Sequence, residues 1–478
     1  MSKYNLSVKE FLEKSASGEI DYADFSEKFL DEVKKADKKF ELFTAIDDSK
    51  PDNPKLKIDR PRLNLLPEFF GLPISVKDNI CVKGIQSTAG SKILEGYKPP
   101  FDATCVRLLK EASGWVFGKT NQDEFGFGTF STNSAYGIPK NPLDRERSCG
   151  GSSGGAAGGI VAINMPHIAV SESTGGSISA PASFCGVAGL TPTYGLVSRY
   201  GLIDYANSLD KIGVIAKSVW DISFALSAMA GFDSRDSTSI NKKQEDYRTN
   251  LNGDVKNLKI GIPKEYMENL DEKIEKALWN SIKKLESLGA TYHEISLPHT
   301  KYSLAAYYII ATAEASTNLA KFSGMRYGHE EEISGSFNEY FSKVRTKYFG
   351  QEAKRRILLG TFARMAGYRD QYYLKALKVR TLVIDDFQKA FKKVDVLASP
   401  AMPVIAPKFS DVEKLTPIKN YMMDILTVGP NLAGVPMISV PCGQVNGMPI
   451  GLHLIGDHLQ EKKVLDAGFA FENTVKAN

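Results

Sequence analysis

The chain has 478 residues, 42% of them hydrophobic and 24% charged, which is the balance of an ordinary globular protein. Its net charge of +4 is too small to indicate a nucleic-acid or membrane surface by itself. The N-terminus lacks the apolar core of a signal peptide, and no apolar run approaches the ~20 residues of a membrane helix. Five scattered cysteines without a CxxC pair indicate reduced thiols. We therefore expect a cytoplasmic protein with no membrane segment and no metal site.

The predicted elements alternate between helices and strands along the chain. Apolar residues recur at helical spacing through the first ~60 residues, and GLPISVKDNI predicts a short strand that ends near Lys77 in a polar turn. Glycine-rich segments and strands follow, residues 301–393 read mainly as helices, and strands return before a last helix. This pattern predicts an α/β fold in one domain. We divide it into N-terminal helices at 1–65, a core at about 66–230 and a helical and sheet-completing remainder at 231–478.

The segment CGGSSGGAAGG, Cys149 to Gly159, holds six glycines and two adjacent serines. It lacks the lysine of a phosphate loop, and the polar residues before it are not the strand that a dinucleotide-binding turn requires. Gly150–Gly154 fits the GxSxG pattern of a nucleophile turn, although glycine-rich segments produce that pattern by chance. A second turn, Ser173–Ile178, follows a strand-like run and can direct consecutive backbone N–H groups at one point, as an oxyanion hole requires.

A serine nucleophile needs a base, and the local sequence leaves the choice open. None of the histidines has a neighbouring acid in a recognisable signature: they are residues 167, 293, 299, 329, 453 and 458. Lys77 is the other candidate, since burial lowers the pKa of a lysine and a neutral amine can accept a proton. A lysine at a strand end is more commonly a solvated charge.

Three segments in this order, GLPISVKDNI, CGGSSGG and STGGSISAPASFCG, resemble the amidase signature family. The resemblance implies an α/β fold around a large, mostly mixed twisted sheet flanked by helices. It implies a triad in which Ser177 is the nucleophile, Ser152 follows a cis peptide bond and relays the proton, and neutral Lys77 receives it. Ser153 then supports this network or the oxyanion site. The oxyanion hole is formed by the backbone N–H groups of Thr174, Gly175 and Gly176.

Longer blocks, including SRYGLIDYANSLDKIG and EAKRRILLGTFARMAGYRDQYY, resemble the A-subunit family of tRNA-dependent amidotransferases over residues 4–475. That resemblance implies a glutaminase subunit whose ammonia converts glutamate or aspartate, misacylated on tRNA, into glutamine or asparagine. It also implies that Arg356 binds the α-carboxylate of glutamine and Asp424 its α-ammonium, with Tyr308 nearby. If the alignment with the family is displaced by one residue, Arg355 instead of Arg356 is the residue that binds the α-carboxylate.

The implied partners are the B and C subunits of a heterotrimer and misacylated tRNA, which is bound through the B subunit. ATP and magnesium are expected on the partner, and no cofactor is expected in this chain. A stand-alone amidase for small or aryl amides shares the triad and is the second interpretation. A catalytically silent scaffold protein is the third.

Two residues near Ser177 depart from the family pattern. Ser173 stands where the family usually has aspartate, and Ser179 stands where it usually has arginine. Cys149 also occupies a position where proline is common. We interpret the first two changes as a lost structural ion pair, for which Glu172 compensates.

Overall fold

The computed structural model describes residues 3–50, 68–249 and 251–476. The strands found in these residues are β1 (Phe43–Ile46), β2 (Pro73–Lys77), β3 (Trp115–Thr120), β4 (Lys140–Asn141), β5 (Asp144–Ser148), β6 (Ile168–Ser173), β7 (Ala188–Thr191), β8 (Lys211–Ala216), β9 (Lys259–Pro263), β10 (Thr291–Ile295), β11 (Val396–Pro400), β12 (Met437–Val445) and β13 (Met448–Gly456).

The α-helices of the same residues are α1 (Val8–Ser17), α2 (Tyr22–Phe40), α3 (Thr104–Glu111), α4 (Gly154–Ala162), α5 (Ser179–Cys185), α6 (Val219–Met229), α7 (Glu272–Ser287), α8 (Thr300–Asn318), α9 (Phe337–Tyr348), α10 (Gln351–Arg364), α11 (Lys375–Phe391), α12 (Phe409–Val412), α13 (Pro417–Tyr421), α14 (Val428–Ala433) and α15 (Glu461–Lys476). None of them is long and apolar enough to cross a bilayer, as judged over the part of the chain that the structure describes.

Eleven of the described strands form one sheet, in the order β1-β3-β2-β6-β8-β7-β12-β13-β11-β9-β10. β2 is parallel to its neighbours β3 and β6, and β9 is parallel to its neighbours β11 and β10. The strands between β6 and β11 pair antiparallel. β4 and β5 form a separate antiparallel pair. The predicted α/β fold with a large mixed sheet flanked by helices is confirmed.

The sheet has a hydrophobic cluster on each face. Val396 and Ala398 of β11 belong to a cluster with residues of α6, α7 and α15, whereas Leu397 belongs to one with residues of α8, α11 and α14. Successive side chains of a strand point to opposite faces, so the two sets of helices cover opposite faces of the sheet.

The predicted strand in GLPISVKDNI is β2, and it ends at Lys77 as expected. The predicted N-terminal helices are present as α1 and α2. Strand β1, directly after α2, was not predicted, and residues 51–67 of the predicted helical stretch lie outside the described residues.

Parallel pairing of β2 with β6 brings two site segments together. Val76 lies opposite Val170, so the carboxyl ends of these strands, with Lys77 and Glu172, meet at one edge of the sheet. The chain leaves β6 through the turn 174–178 and enters α5, while α4 begins just after Ser153.

Helix α4 starts against backbone atoms of other segments, and this contact gives a stability prediction. A Cβ atom at Gly155 would lie 2.5 Å from the Asn121 carbonyl oxygen, whereas one at Gly159 meets only Phe43, at 3.6 Å. We expect Gly155→Ala to destabilise the fold by about 1–3 kcal/mol through overpacking. Gly159→Ala in the same helix should be neutral or stabilise by up to about 1 kcal/mol, because alanine favours helices. Denaturant unfolding checks both, and equal effects would contradict the packing described here.

Candidate active site

The structure brings Lys77 and Ser152 together. Both side chains are fully buried, and Nζ of Lys77 lies 2.7 Å from Oγ of Ser152. The peptide bond between Gly151 and Ser152 is cis, the geometry that the family resemblance implies. Burial lowers the pKa of Lys77 below its ordinary value, although the charge of Glu172 opposes that shift. A lysine in this setting can become neutral and accept a proton from the serine hydroxyl.

Hydrogen bonds to the segment 123–131 fix the loop that contains Ser152. Gly151 donates its N–H to the Thr129 carbonyl at 2.7 Å. Asp123 donates its N–H to the Ser152 carbonyl at 3.2 Å, and its carboxylate accepts the N–H of Ser131 at 2.9 Å. Burial raises the pKa of Asp123 to about 6. These bonds hold the serine in place beside the lysine.

Ser177 lies in the turn between β6 and α5. It is 6% exposed, whereas the other two residues of the predicted triad have no exposed surface. Within the described residues, the N–H groups of Gly175 and Gly176 have no hydrogen-bond acceptor. A Cβ atom at Gly175 would lie 2.6 Å from the Tyr307 hydroxyl, so this turn has no room for a side chain. A partly open hydroxyl beside unpaired N–H groups is compatible with the nucleophile and oxyanion roles, which stay predictions.

The three predicted substrate-binding residues are also neighbours. The Tyr308 hydroxyl donates to Oδ2 of Asp424 at 2.6 Å, and the guanidinium carbon of Arg356 lies 5.4 Å from the centre of the Tyr308 ring. Arg356 is 3% exposed and Asp424 is 8% exposed. Burial raises the pKa of Asp424, while hydrogen bonds from Tyr308 and Thr129 oppose the shift. A buried cation and a buried acid therefore lie around one aromatic ring.

Arg356 lies in the interior and Arg355 at the surface. Nε of Arg356 donates to Glu352 at 2.8 Å, and Nη1 donates to the Tyr205 hydroxyl at 2.5 Å. Four rings surround its guanidinium at 5.1–5.5 Å: Phe127, Tyr205, Tyr308 and Tyr421. The Arg355 side chain is 44% exposed and pairs with Glu352 from outside. Of the two candidates, Arg356 is the one that faces Tyr308.

Thr129 and Thr427 connect the loop that contains Ser152, the Asp424 carboxylate and the turn from Thr174 to Gly176, which we call the glycine turn. The Thr129 carbonyl accepts the N–H of Gly151, and its hydroxyl donates to Oδ1 of Asp424 at 3.1 Å. Thr427 donates its N–H to the Asp424 carbonyl at 3.0 Å, and a Cβ atom at Gly176 would lie 2.5 Å from its hydroxyl. The predicted catalytic and substrate-binding residues therefore belong to one continuous site.

No histidine among the described residues makes a hydrogen bond to Lys77 or Ser152. Burial lowers the pKa of His167 and His453 to about 3, so both imidazoles are neutral. The remaining histidines are His299, which contacts Asp386, His329, which contacts Glu95, and the exposed His293 and His458. This distribution favours lysine as the base.

Glu172 does not have the role that the sequence analysis gave it. Its Oε2 accepts a hydrogen bond from Nζ of Lys77 at 3.0 Å. Neighbouring residues of a strand face opposite sides, so Glu172 cannot replace an acid at Ser173. Ser179 instead lies with its Oγ 3.2 Å from Nε2 of His453. The compensation that we expected from Glu172 is wrong.

Other groups of the site also escaped the sequence analysis. The Thr174 hydroxyl lies 2.7 Å from Oε1 of Glu172 and 2.8 Å from Oδ1 of Asp210. Tyr205 and Glu352, the partners of Arg356, were missed as well. Asp210 and Tyr205 stand in the block SRYGLIDYANSLDKIG, which served only to indicate the family. The only local sign that Glu172 belongs to the site was its position as an acid in the buried strand β6.

The arrangement suits covalent catalysis by a serine with a buried lysine as base. In the described residues there is no group of three or more His, Cys, Asp or Glu side chains that could hold a metal ion. Backbone N–H groups at the glycine turn can stabilise negative charge on a substrate oxygen. The buried Arg356 and Asp424 can bind opposite charges of a small ligand.

The family model described as Amidase matches residues 24–465, so the chain belongs to the amidase family. It is 52% identical to the A subunit of glutamyl-tRNA(Gln) amidotransferase from Methanococcoides burtonii over 403 residues, 84% of each chain. It is 46% identical to the protein of that name from Carboxydothermus hydrogenoformans over 479 residues, which cover 100% of this chain and 98% of the other.

Solved structures agree with this assignment. The crystal structure of the A subunit of glutamyl-tRNA(Gln) amidotransferase from Thermotoga maritima is similar with a TM-score of 0.82 and 36% identity, over 99% of this chain and 96% of that one. The peptide amidase of Stenotrophomonas maltophilia is similar with a TM-score of 0.79 and 27% identity, over 98% and 97% of the two chains. The fold is thus shared by amidotransferase subunits and by another amidase.

The different positions of the two arginines give a stability prediction. Arg356→Met leaves the buried carboxylate of Glu352 without its internal cation, and we expect a loss of about 3–5 kcal/mol. Arg355→Met is the matched control, and it should change stability by no more than about 0.5 kcal/mol because that ion pair is at the surface. Thermal and denaturant unfolding measure both. A larger loss of stability in Arg355→Met than in Arg356→Met would contradict the placement of Arg356 in the interior and Arg355 at the surface.

Proposed function

We propose that this chain is the glutamine-hydrolysing component of a tRNA-dependent amidotransferase, which supplies ammonia to convert Glu-tRNA(Gln) or Asp-tRNA(Asn) into Gln-tRNA(Gln) or Asn-tRNA(Asn). The main support is the 2.7 Å contact between Lys77 and Ser152 in one continuous site with the buried Arg356 and Asp424. The contact suits activation of a serine, and the two charges suit a substrate with an α-carboxylate and an α-ammonium group. The names of the relatives agree with this function.

Acylation begins when Oγ of Ser177 attacks the side-chain amide carbon of glutamine. The Ser177 proton passes to Ser152, whose own proton passes to the neutral amine of Lys77. The amide oxygen becomes an oxyanion, which the N–H groups of the glycine turn, from Thr174 to Gly176, stabilise. The proton then returns through Ser152 to the leaving nitrogen. The C–N bond breaks, ammonia departs, and a γ-glutamyl ester on Ser177 remains.

Deacylation uses the same groups in the same order. A water molecule attacks the ester carbonyl while its proton passes through Ser152 to Lys77. A second oxyanion forms at the glycine turn, and its collapse breaks the bond to Ser177 Oγ. The proton on Lys77 returns to that oxygen, glutamate leaves, and the enzyme is regenerated.

Substrate recognition in this proposal depends on charge. Arg356 uses two of its donor groups on Glu352 and Tyr205, and among the described residues its Nη2 group has no acceptor. That group can bind the α-carboxylate of glutamine. The carboxylate of Asp424 can accept a hydrogen bond from the α-ammonium group, and the Tyr308 hydroxyl holds Asp424 in position.

The proposal includes partner subunits. We assign the chain to a complex with B and C subunits, in which the B subunit binds misacylated tRNA and holds ATP and magnesium. The net charge of +4 agrees with a tRNA bound mainly by a partner. We assign no cofactor or metal to this chain and place the complex in the cytoplasm.

Replacement of the nucleophile tests the reaction directly. We expect Ser177→Ala to lower ammonia release from glutamine at least about 1,000-fold, since no acyl-enzyme can form. Ser173→Ala is the matched control: that serine is buried in β6, and its hydroxyl has no hydrogen-bond partner among the described residues, so the activity of this variant should stay near wild type. Ammonia is measured with and without the partner subunits and charged tRNA. Rapid hydrolysis of simple amides by the lone chain, with glutamine ignored, would indicate a stand-alone amidase instead.

Replacement of the acid tests recognition of the substrate. Asp424→Asn keeps the shape but removes the charge, so we expect KM for glutamine to rise about 30- to 150-fold, equivalent to about 2–3 kcal/mol. The turnover number should change by less than about threefold, because Asp424 does not contact the reacting amide in this proposal. Tyr308→Phe removes only a neutral hydroxyl and should raise KM by less than about tenfold. Steady-state kinetics decide this, and an unchanged KM in Asp424→Asn would refute the role.

A further inference from the structure

The amine of Lys77 has three acceptors at hydrogen-bond distance, and two of them belong to Glu172. Nζ lies 2.7 Å from Oγ of Ser152, 2.9 Å from the Glu172 carbonyl oxygen and 3.0 Å from Oε2 of Glu172. That carbonyl can only accept, and Oε2 also accepts from the Asn79 amide at 3.1 Å. A neutral amine has two N–H groups and one lone pair. The N–H groups therefore point to Glu172, which leaves the lone pair directed at the Ser152 hydroxyl.

The second carboxylate oxygen of Glu172 begins a buried chain. The Thr174 hydroxyl is within 2.8 Å of both Oε1 of Glu172 and Oδ1 of Asp210, but it has only one hydrogen to donate. Both contacts are hydrogen bonds only if one carboxyl group carries a proton. Burial and then the charge of Glu172 raise the pKa of Asp210 well above its usual range. Asp210 is therefore protonated and donates to Thr174, which donates to Glu172.

The backbone hydrogen bonds to the Asp210 carboxyl group agree with this assignment of the proton. Its Oδ2 accepts the backbone N–H groups of Tyr205 and Ala206 at 2.9 and 3.0 Å, and its Oδ1 shares the Ala206 N–H at 3.1 Å. Oδ1 is also the oxygen that meets the Thr174 hydroxyl, so we place the proton there. Every polar atom of the chain from Asp210 to Lys77 then has a partner. Such completely paired buried networks hold their members in one geometry.

We propose that Glu172 is a positioning residue for Lys77: its carbonyl and carboxylate direct the amine lone pair at Ser152, its charge stabilises the ammonium formed by proton transfer, and Asp210 holds the Glu172 carboxylate in place through Thr174. This inference rests on the proposed role of Lys77 as the base. When Lys77 receives a proton, its three N–H groups meet Ser152 Oγ and the two oxygens of Glu172. Both protonation states are fully hydrogen-bonded, so the proton can move without rearrangement of side chains.

The other charged groups near the amine come from three directions. Asp123 is an acid that favours the protonated form of Lys77, but less than Glu172 does. Asp210, with its proton on Oδ1, adds no charge. On the neighbouring strand β3, Lys119 lies opposite Val76 and not opposite Lys77, so its side chain is on the other face of the sheet, where Nζ lies 3.6 Å from the Asp78 carboxylate. Glu172 is therefore the charge whose removal should change the titration of Lys77 most.

The test uses a reaction that needs neither glutamine nor partner subunits. Fluorophosphonates react with an activated serine: the bond from Ser177 Oγ to phosphorus forms, the phosphorus–fluorine bond breaks, and fluoride leaves. The serine proton passes through Ser152 to Lys77. The rate in the purified full chain should rise with pH, because only neutral Lys77 accepts the proton, and the midpoint of the rise reports its pKa.

Glu172→Gln is the informative variant, since its amide oxygen can still accept from Lys77 while the charge is lost. We expect the midpoint to move at least about one pH unit toward acid, with the high-pH rate within about threefold of wild type. Asp210→Asn imitates the protonated acid and should move the midpoint by less than a third as much. Glu461→Gln removes a buried acid that accepts the Thr193 N–H and, among the described residues, makes no hydrogen bond to Lys77, Glu172 or Asp210, so it should leave the profile unchanged.

A wild-type midpoint in Glu172→Gln would overturn the proposal, and so would an equal shift in Asp210→Asn. Infrared spectroscopy gives a second measurement that does not depend on folding of the Glu172 variant. Burial raises the pKa of Glu124 to about 7, so the informative quantity is the difference between the two chains. The difference spectrum of wild type minus Asp210→Asn should show the carbonyl band of one neutral carboxylic acid, and its absence would also overturn the assignment. A chain that reacts with the probe as expected but does not hydrolyse glutamine would reject the proposed function and leave this inference intact.

Discussion

The structure of the site depends on the burial of one amine at the carboxyl end of β2. A lysine without access to water needs acceptors that are fixed in the protein, and at Lys77 they come from Ser152 and from Glu172 on the adjacent strand. The parallel pairing of β2 with β6 sets the second of these, and the loop held by Asp123 sets the first. An error in either would leave a buried charge unpaired, so the contacts of the candidate site also specify the fold around it.

The two parts of the site treat charge differently. At the catalytic end, acids surround a lysine whose pKa burial lowers, so that a proton can arrive and leave. At the other end, Arg356 is enclosed by aromatic rings and paired with Glu352, which keeps it permanently charged and dry. A dry, fixed cation discriminates between ligands by their charge far more strongly than a solvated one does. In the proposed function, this separation combines proton transfer and recognition of a charged substrate in one site.

The sequence predicted the parts of the fold that have a local pattern. Strand β2 and the amphipathic helix α2 follow from their apolar spacing. Helix α4 was not predicted, because its glycines disfavour helix formation and close packing against Asn121 imposes it. In the site, motifs located Lys77 and Ser152 but could not choose between Arg355 and Arg356. Nor could they reveal the contact of Lys77 with Glu172, because strand register creates it across 95 positions of sequence.

The site is also assembled from segments far apart along the chain. Ser152 belongs to the first half, whereas Asp424, to which Thr129 donates, lies close to the end. During synthesis on the ribosome, the early segments leave the exit tunnel long before the last strands of the sheet and the acid have been translated. A nascent or truncated chain can therefore expose a serine and a lysine but cannot bind a zwitterionic ligand between them. In the proposed function, half-made molecules therefore lack the complete site for glutamine.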